Sequence, residues 1–378
     1  MSVDPAGPDL YVYLPGLRPV PGMLDRQADA ARRCRNYAED AYAETDYGPG
    51  PLRNVQTGII NYLAGTHDRI RGEVREYFDE VHDFASGQAA RVREAVELYE
   101  TTDLELAGDL DASLYQPERR AEVRELGRGG HPDPHRETAT VLEPREPVDA
   151  LVPWPDYRAD YPFQPDWIGT GRARDAIWEV TWLAHSLGLM SRPVDIVADL
   201  LDPFTGDWAG LKVCGDALAN LAEAGRDLHA NVGWIEQRVD AVWQGNAADA
   251  CWLQVRKLQR SLSQAPPVLS GYAGAYEETV TKVRDLEEQA AAVLAEALDW
   301  AVAVLLGQVG VVGKVVGWFV PPSGLLEVVR LVYQLLDLVQ LATKAVWDFN
   351  ARCQLGMLYG PQTEAALPSV PSPSSGYH

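Results

Sequence analysis

The chain has 378 residues, with 33 Lys+Arg against 55 Asp+Glu and a formal net charge of −22. A hydrophobic share of 46% and a charged share of 23% belong to a globular protein and exclude a collagen-like or wholly disordered chain. Such acidity repels phosphates, which argues against nucleic acid as a partner, and four cysteines make no disulfide framework.

The length allows two or three domains. Met1 to Leu10 shows neither the basic start nor the apolar core of a secretory signal. The expectation is a protein that stays in the cytoplasm or leaves by a signal-peptide-independent route. Residues 1–115 read as an N-terminal helical hairpin. Met23 to Tyr42 is Ala-rich and helix-prone. Tyr47-Gly-Pro-Gly-Pro51 breaks it. Apolar residues then recur at steps of three and four from Val55 through Ile70, Val81 and Val92 to Tyr99, with His67 and Gln88 in two of the steps. That spacing predicts a long amphipathic helix.

Residues 116–170 have the composition of a charged, Pro-rich linker. Nine of the 26 prolines lie between Gln116 and Pro165. The stretch from Trp154 to Trp167 mixes aromatics with Pro and reads as an extended strap on the following domain. Residues 171–305 form a second helical unit. Ala173 to Leu187 predicts a short helix, and Pro193 suits the first position of another. The strongest periodicity follows, from Leu211 through Leu218, Leu221, Leu228 and Ile235 to Val242. It restarts after Gly245 and runs through Val255, Leu258 and Leu262 to Trp300. Seams of this period pack helices side by side, as in coiled coils. Pro266-Pro267 is expected to kink the second helix without reversing it. The first seam spans 32 residues, about 48 Å of helix, and such a stripe is not stable alone. It needs a partner: the N-terminal hairpin, the C-terminal segment or a second chain.

Residues 306–360 predict apolar C-terminal helices, broken by Pro321-Pro-Ser-Gly324. They carry four basic and three acidic residues, a net of +1, which leaves −23 on the remainder. Ala301 to Val320 is long enough to span a bilayer, so a membrane contact through residues 301–347 is one reading. Lys314 near its middle would cost about 2.5–3.5 kcal/mol there, and the run continues the phase of the preceding helix through Trp300 and Val304. A buried helix completing the bundle is the preferred expectation. Residues 361–378, rich in Pro and Ser, read as a flexible tail.

One motif sits between the two seams: Trp243-Gln244-Gly245-Asn246. Gly245 can take the positive φ that ends a helix, Asn246 can cap the next one, and Asp249 suits its first turn. Trp243 can lay its ring across the end of the hairpin. With this motif in a turn between seam-forming helices, residues 207–306 resemble the WXG family of helical-hairpin proteins exported by ESX-type (type VII) secretion systems. Val242-Trp-Gln-Gly-Asn-Ala-Ala-Asp249 looks like the turn of the versions found in longer actinobacterial proteins. The resemblance implies an antiparallel four-helix bundle, built by dimerisation or by a tandem hairpin, and no catalysis by the hairpin. The N-terminal hairpin looks like a more distant, secretion-associated relative, with Tyr47-Gly48 in place of Trp-x-Gly. The family's second export element, Tyr-x-x-x-Asp/Glu past a hairpin's second helix, has its positional match in Tyr99 and Asp103. Tyr42/Asp46 and Tyr333/Asp337 fit the pattern but not the position.

Catalytic motifs are missing. There is no Gly-x-Ser-x-Gly and no His-Glu-x-x-His. Gly307 to Lys314 mimics a phosphate loop, yet Val315 stands where Ser or Thr is required. His131 and His135 share a Pro-rich loop with no further ligand beside them, so a solvated loop is expected. His67 reads as a satisfied core residue. Cys214 and Cys251 lie about 36 Å apart in level along the hairpin and read as buried packing thiols. No catalytic, metal or cofactor residue is assigned.

The expected fold is all-α: long antiparallel helical hairpins of WXG-like, four-helix-bundle type, joined by the linker and followed by an apolar C-terminal helical hairpin. The expected function is a non-enzymatic type VII secretion substrate or carrier. It would work through helix–helix contact with a WXG-like protein, itself or the secretion machinery. Leu218, Leu221, Leu228, Ile235, Val255, Leu258 and Leu262 form the partner-packing seam. A membrane-acting effector and a cytoplasmic helical scaffold are the alternatives.

Overall fold

The computed structural model describes residues 10–44, 58–102, 104–128, 144–157, 171–309 and 322–361. These residues are almost entirely helical. A two-residue strand, β1 (Tyr11–Val12), precedes the short α1 (Leu14–Leu17) and the long α2 (Val20–Ala43). A 3-10 turn, Ile59–Leu63, leads into α3 (Ala64–Thr101), and α4 (Leu104–Ser113) and α5 (Pro117–Glu125) follow. After α6 (Gly171–Ser186) come α7 (Trp208–Val242), the strand β2 (Trp243–Gln244), α8 (Asn246–Val309) and α9 (Pro322–Cys353).

Four helices form the main body, and their side-chain contacts fix how they run. Between α7 and α8, the ion pair Glu236–Arg256 (2.8 Å) lies near the turn, while Lys212 and Glu277 pair at the far end. Between α2 and α3, Asp25 pairs with Arg93 (2.7 Å) and Glu39 with Arg71 (2.5 Å). Asn231 of α7 donates to Gln27 of α2 (3.1 Å), and Asn220 donates to Tyr37 (2.7 Å). The His67 ring of α3 meets the Tyr276 hydroxyl of α8 at 2.8 Å, and Tyr77 donates to the Ser261 carbonyl (3.5 Å). In every pair the numbers rise on one helix as they fall on the other, so each helix is antiparallel to both neighbours. The cyclic order is α2, α3, α8, α7.

This arrangement answers the demand of the seams. Leu218, Leu221, Leu228, Ile235, Val255, Leu258 and Leu262 are all fully buried, in one core with Leu24, Ala31, Ile70, Val74 and Phe78 of the N-terminal helices. Burying each such side chain stabilises by roughly 1.5–3 kcal/mol, so these seams could not stand open. The covering helices come from the same chain. Asp207 caps α7, accepting from the Gly210 amide at 2.8 Å. Helix α8 continues unbroken across Pro266 and Pro267. Gly225 of α7 leaves room for the first ring, because a Cβ there would stand 3.3 Å from Pro266 Cγ.

From the level of the start of α7 onward, α8 is paired antiparallel with α9. Gly324 faces Val304, Phe349 packs edge-on against Tyr276 (4.9 Å), and Arg352 pairs with Glu278 at the bundle end. Ala297, Ala301 and Val304 are buried in phase with the seam. Trp300, expected in the seam, is instead 41% exposed beside Gly324. Among the described residues no helix is long and apolar enough to cross a membrane. Residues 310–321, which carry Lys314 and most of the bilayer-length run, lie outside them, as does the tail from 362.

Two local expectations are corrected. Pro193 does not open an α-helix. The chain stays non-helical to Asp195 and then makes a π-helical turn, Ile196–Leu201. Thr181 Oγ1 accepts from the Val194 amide (3.2 Å) and Asp199 from the Asp195 amide (2.8 Å), which holds the segment open. The Pro-rich stretch after Gln116, read as a linker from its composition, contains helical turns. Pro117 starts α5, where its missing N–H costs nothing, and Pro147–Ala150 makes a 3-10 turn. The strap is seen as far as Tyr157 and lies across both pairs of helices. Tyr37 donates to the Val152 carbonyl (2.6 Å), Trp154 meets the Tyr37 ring edge-on (5.3 Å), and Tyr157 donates to Asp216 of α7.

Candidate interaction site at the helical turn

The turn joining α7 to α8 gathers residues from four distant parts of the sequence. Gly245 takes φ +126°, open to glycine but strained for other residues. Its bareness has a second use: a Cβ there would lie 2.8 Å from Asp111 Oδ2. Asp111, on α4, brings its carboxylate to the start of α8. It accepts from the backbone amides of Asn246 and Ala247, both at 2.8 Å, and from Asn246 Nδ2 at 3.2 Å. The cap of α8 is therefore Asp111. Asn246, expected in that role, is the first helical residue, and its side chain anchors α4 through the Asp111 carbonyl (2.9 Å). A carboxylate here also meets the positive end of the helix dipole.

Trp243 is 2% exposed and extended, not laid over an open end. It pairs in β2 with β1, Val12 opposite Trp243 and Tyr11 opposite Gln244. Its indole N–H donates to the Tyr99 hydroxyl at 3.2 Å, and the two rings meet edge-on with centroids 6.0 Å apart. Burial pushes the Tyr99 hydroxyl up from its ordinary value, and the indole bond opposes that only in part. Asp103, the other half of the expected export element, lies outside the described residues. So does Asp46. Tyr333 and Asp337 both lie on the exposed face of α9.

Arg128 closes the site. Its side chain is 3% exposed. It donates to Asp240 (2.9 Å), to Asp249 and to the Trp243 carbonyl (2.7 Å), and its guanidinium lies 6.0 Å from the Trp252 ring centre. Asp249 thus serves as a buried ion-pair partner as well as a first-turn acid. Burial raises its pKa from the usual carboxylate range, and Arg128 works against that shift.

Sequence reasoning missed Asp111 and Arg128. Both act on groups more than 110 residues away, and neither stands in a motif. No local signal pointed to them, because Asn246 offers a residue of cap type at the turn itself. His67 is buried, and its pKa is lowered to about 4 by burial, with Arg71 adding to the effect. Cys34, Cys214, Cys251 and Cys353 are free and buried, and burial pushes the Cys251 thiol up to about 12. Among the described residues no group of three or more His, Cys, Asp or Glu is placed to hold a metal ion. His131 and His135 fall outside that set. No protein-family model, curated protein or solved structure matches the chain.

Proposed function

We propose that this protein is a type VII (ESX-type) secretion substrate or carrier that acts without catalysis, through helix–helix contact. In this reading α7 and α8 are a WXG-type hairpin, and α2 and α3 are the second hairpin of a four-helix bundle completed within one chain. The observation that carries it is the Trp243–Tyr99 contact of 3.2 Å. It joins the turn tryptophan to the tyrosine of the candidate export element, 144 residues apart in sequence. The two elements that the resemblance implies for export would then be a single composite structural unit at the turn, with its Trp243–Tyr99 contact buried.

The test is secretion from a host carrying such a system. The protein should leave wild-type cells and be retained when the secretion ATPase is deleted. Asp103→Ala, beside the contact in sequence, should reduce export with no change in melting temperature. Trp243→Phe should also reduce it. Equal amounts outside wild-type and ATPase-deleted cells would end the proposal.

A further inference from the structure

Helix α9 has two apolar sides. Val328, Val332, Leu335 and Ala342 are buried. Elsewhere on the helix Leu326, Tyr333 and Leu341 are exposed by 51%, 45% and 46%. Arg330 and Asp337 alternate with them and are exposed too. At 100° per residue these five positions fall in a strip roughly 80° wide. Their order is apolar, cation, aromatic, anion, apolar. Reversed about a point between residues 333 and 334, the strip matches itself with the charges exchanged.

We infer that this strip is a docking surface for the same strip of a second copy of the chain, laid antiparallel about a two-fold axis at Tyr333. Leu326 then meets Leu341 of the second copy, Arg330 meets Asp337, and the two Tyr333 rings meet at the axis. Each outer contact occurs twice, as a two-fold interface requires. A parallel alignment in register would set Arg330 against Arg330, so the charges select the antiparallel one.

Two further observations name the occupant as this chain. Helix α9 balances Arg330, Lys344 and Arg352 against Glu327, Asp337 and Asp348 in a protein of −22, so it adds no net repulsion between copies of its own, and the nearby acid of α8, Glu296, already faces Arg330. Asp337 has no partner among the described residues, while Arg330 holds Glu327 (2.5 Å) and Gln334 (3.3 Å) with three of its five N–H donors and keeps two to spare. Trp300, exposed beside Gly324, widens the apolar patch at the Leu326 end. The strip is about 24 Å long. That is short for a permanent interface, so the dimer should form and dissociate with concentration. This inference does not depend on the secretion reading.

Sedimentation velocity of the full chain over a concentration series tests it. The wild type should shift from monomer to dimer as concentration rises. Arg330→Asp and Asp337→Arg should each weaken association about ten-fold or more, because each turns two attractive pairs into repulsive ones. The double variant should restore it, and mixing the two single variants should give a mixed dimer. Since the four native thiols are buried, Tyr333→Cys should oxidise to a covalent dimer. Leu341→Glu gives a second break on the same exposed face, and far-UV helicity checks that each variant is folded. A wild type that stays monomeric throughout overturns the inference. So does association that survives both single reversals, or a double variant that stays monomeric.

Discussion

Replacing Asp111 by Ala tests whether α4 is part of the fold or merely lies against it. The carboxylate satisfies two backbone donors at the start of α8, both at 2.8 Å. Losing a helix cap costs about 1 kcal/mol, and up to about 2. The Asn246 amide is buried, so its loss adds about 1–3 kcal/mol for an unsatisfied donor, whereas the partly exposed Ala247 amide can turn to water. Asp111→Ala should therefore destabilise the chain by about 2–4 kcal/mol, measured by urea unfolding at neutral pH. Asp111→Asn keeps one acceptor and should cost roughly half as much. In hydrogen exchange, the amides of residues 104–113 and 246–249 should lose protection together. If Asp111→Ala lies within about 0.5 kcal/mol of wild type, or if only one of those segments loosens, the trans-cap is not holding the turn.

Arg128→Met should cost about 2–3 kcal/mol by the same unfolding assay. It strands a largely buried Asp249 beside a half-solvated Asp240, and adding Asp249→Asn should recover part of the loss. Gly225→Val should cost about 1–3 kcal/mol, because its side chain meets the Pro266 ring, whereas a surface glycine such as Gly271 should accept Ala at no cost. His67 makes a signed prediction in pH. Its folded pKa of about 4 lies below the unfolded value of about 6.5, so its contribution is whole above pH 6.5 and is lost as pH falls. At pH 4 the loss is about 3 kcal/mol at 1.36 kcal/mol per unit. The buried carboxyls Glu236 and Asp249, with raised pKa values, push the other way over part of that range. The measurement is thus the difference between wild type and His67→Gln across pH 4–7, and a flat difference refutes it.

What could be read from the sequence was whatever depends on period and on local backbone rules. The 3- and 4-residue steps of α3, α7 and α8 are visible without knowing what they pack on. So is the break at Gly245, because a positive φ is a local demand. The failures have one cause: the deciding partner is far away along the chain. Nothing near Trp243 in sequence predicts that Tyr11 and Val12 come to pair with it and cover the end of the hairpin. Asn246 has the residue type of a cap, but a carboxylate 135 positions earlier takes the role. Pro-rich composition hid α5, since Pro117 occupies the one helical position that tolerates it. Trp300 kept the seam's period but outlasted its neighbours: α7 has ended its run beside α8 by Glu277, and past that level α8 is covered on fewer sides.

The demand for a partner was the firmest physical deduction from the seams, and the fold relocates it. With α2 and α3 lying along α7 and α8, every seam residue from Leu218 to Leu262 is already covered. A partner that inserted there would have to displace a whole hairpin, together with the ion pairs Asp25–Arg93 and Glu39–Arg71 and the Asp111 cap. Surface that can be buried at no such cost lies where the four helices give out, along α8 and α9, where Trp300, Leu326, Tyr333, Leu341 and Trp347 are all at least two-fifths exposed. A chain that completes its own bundle has no reason to pair through it. The second copy proposed above would meet it on α9 without displacing any of these contacts.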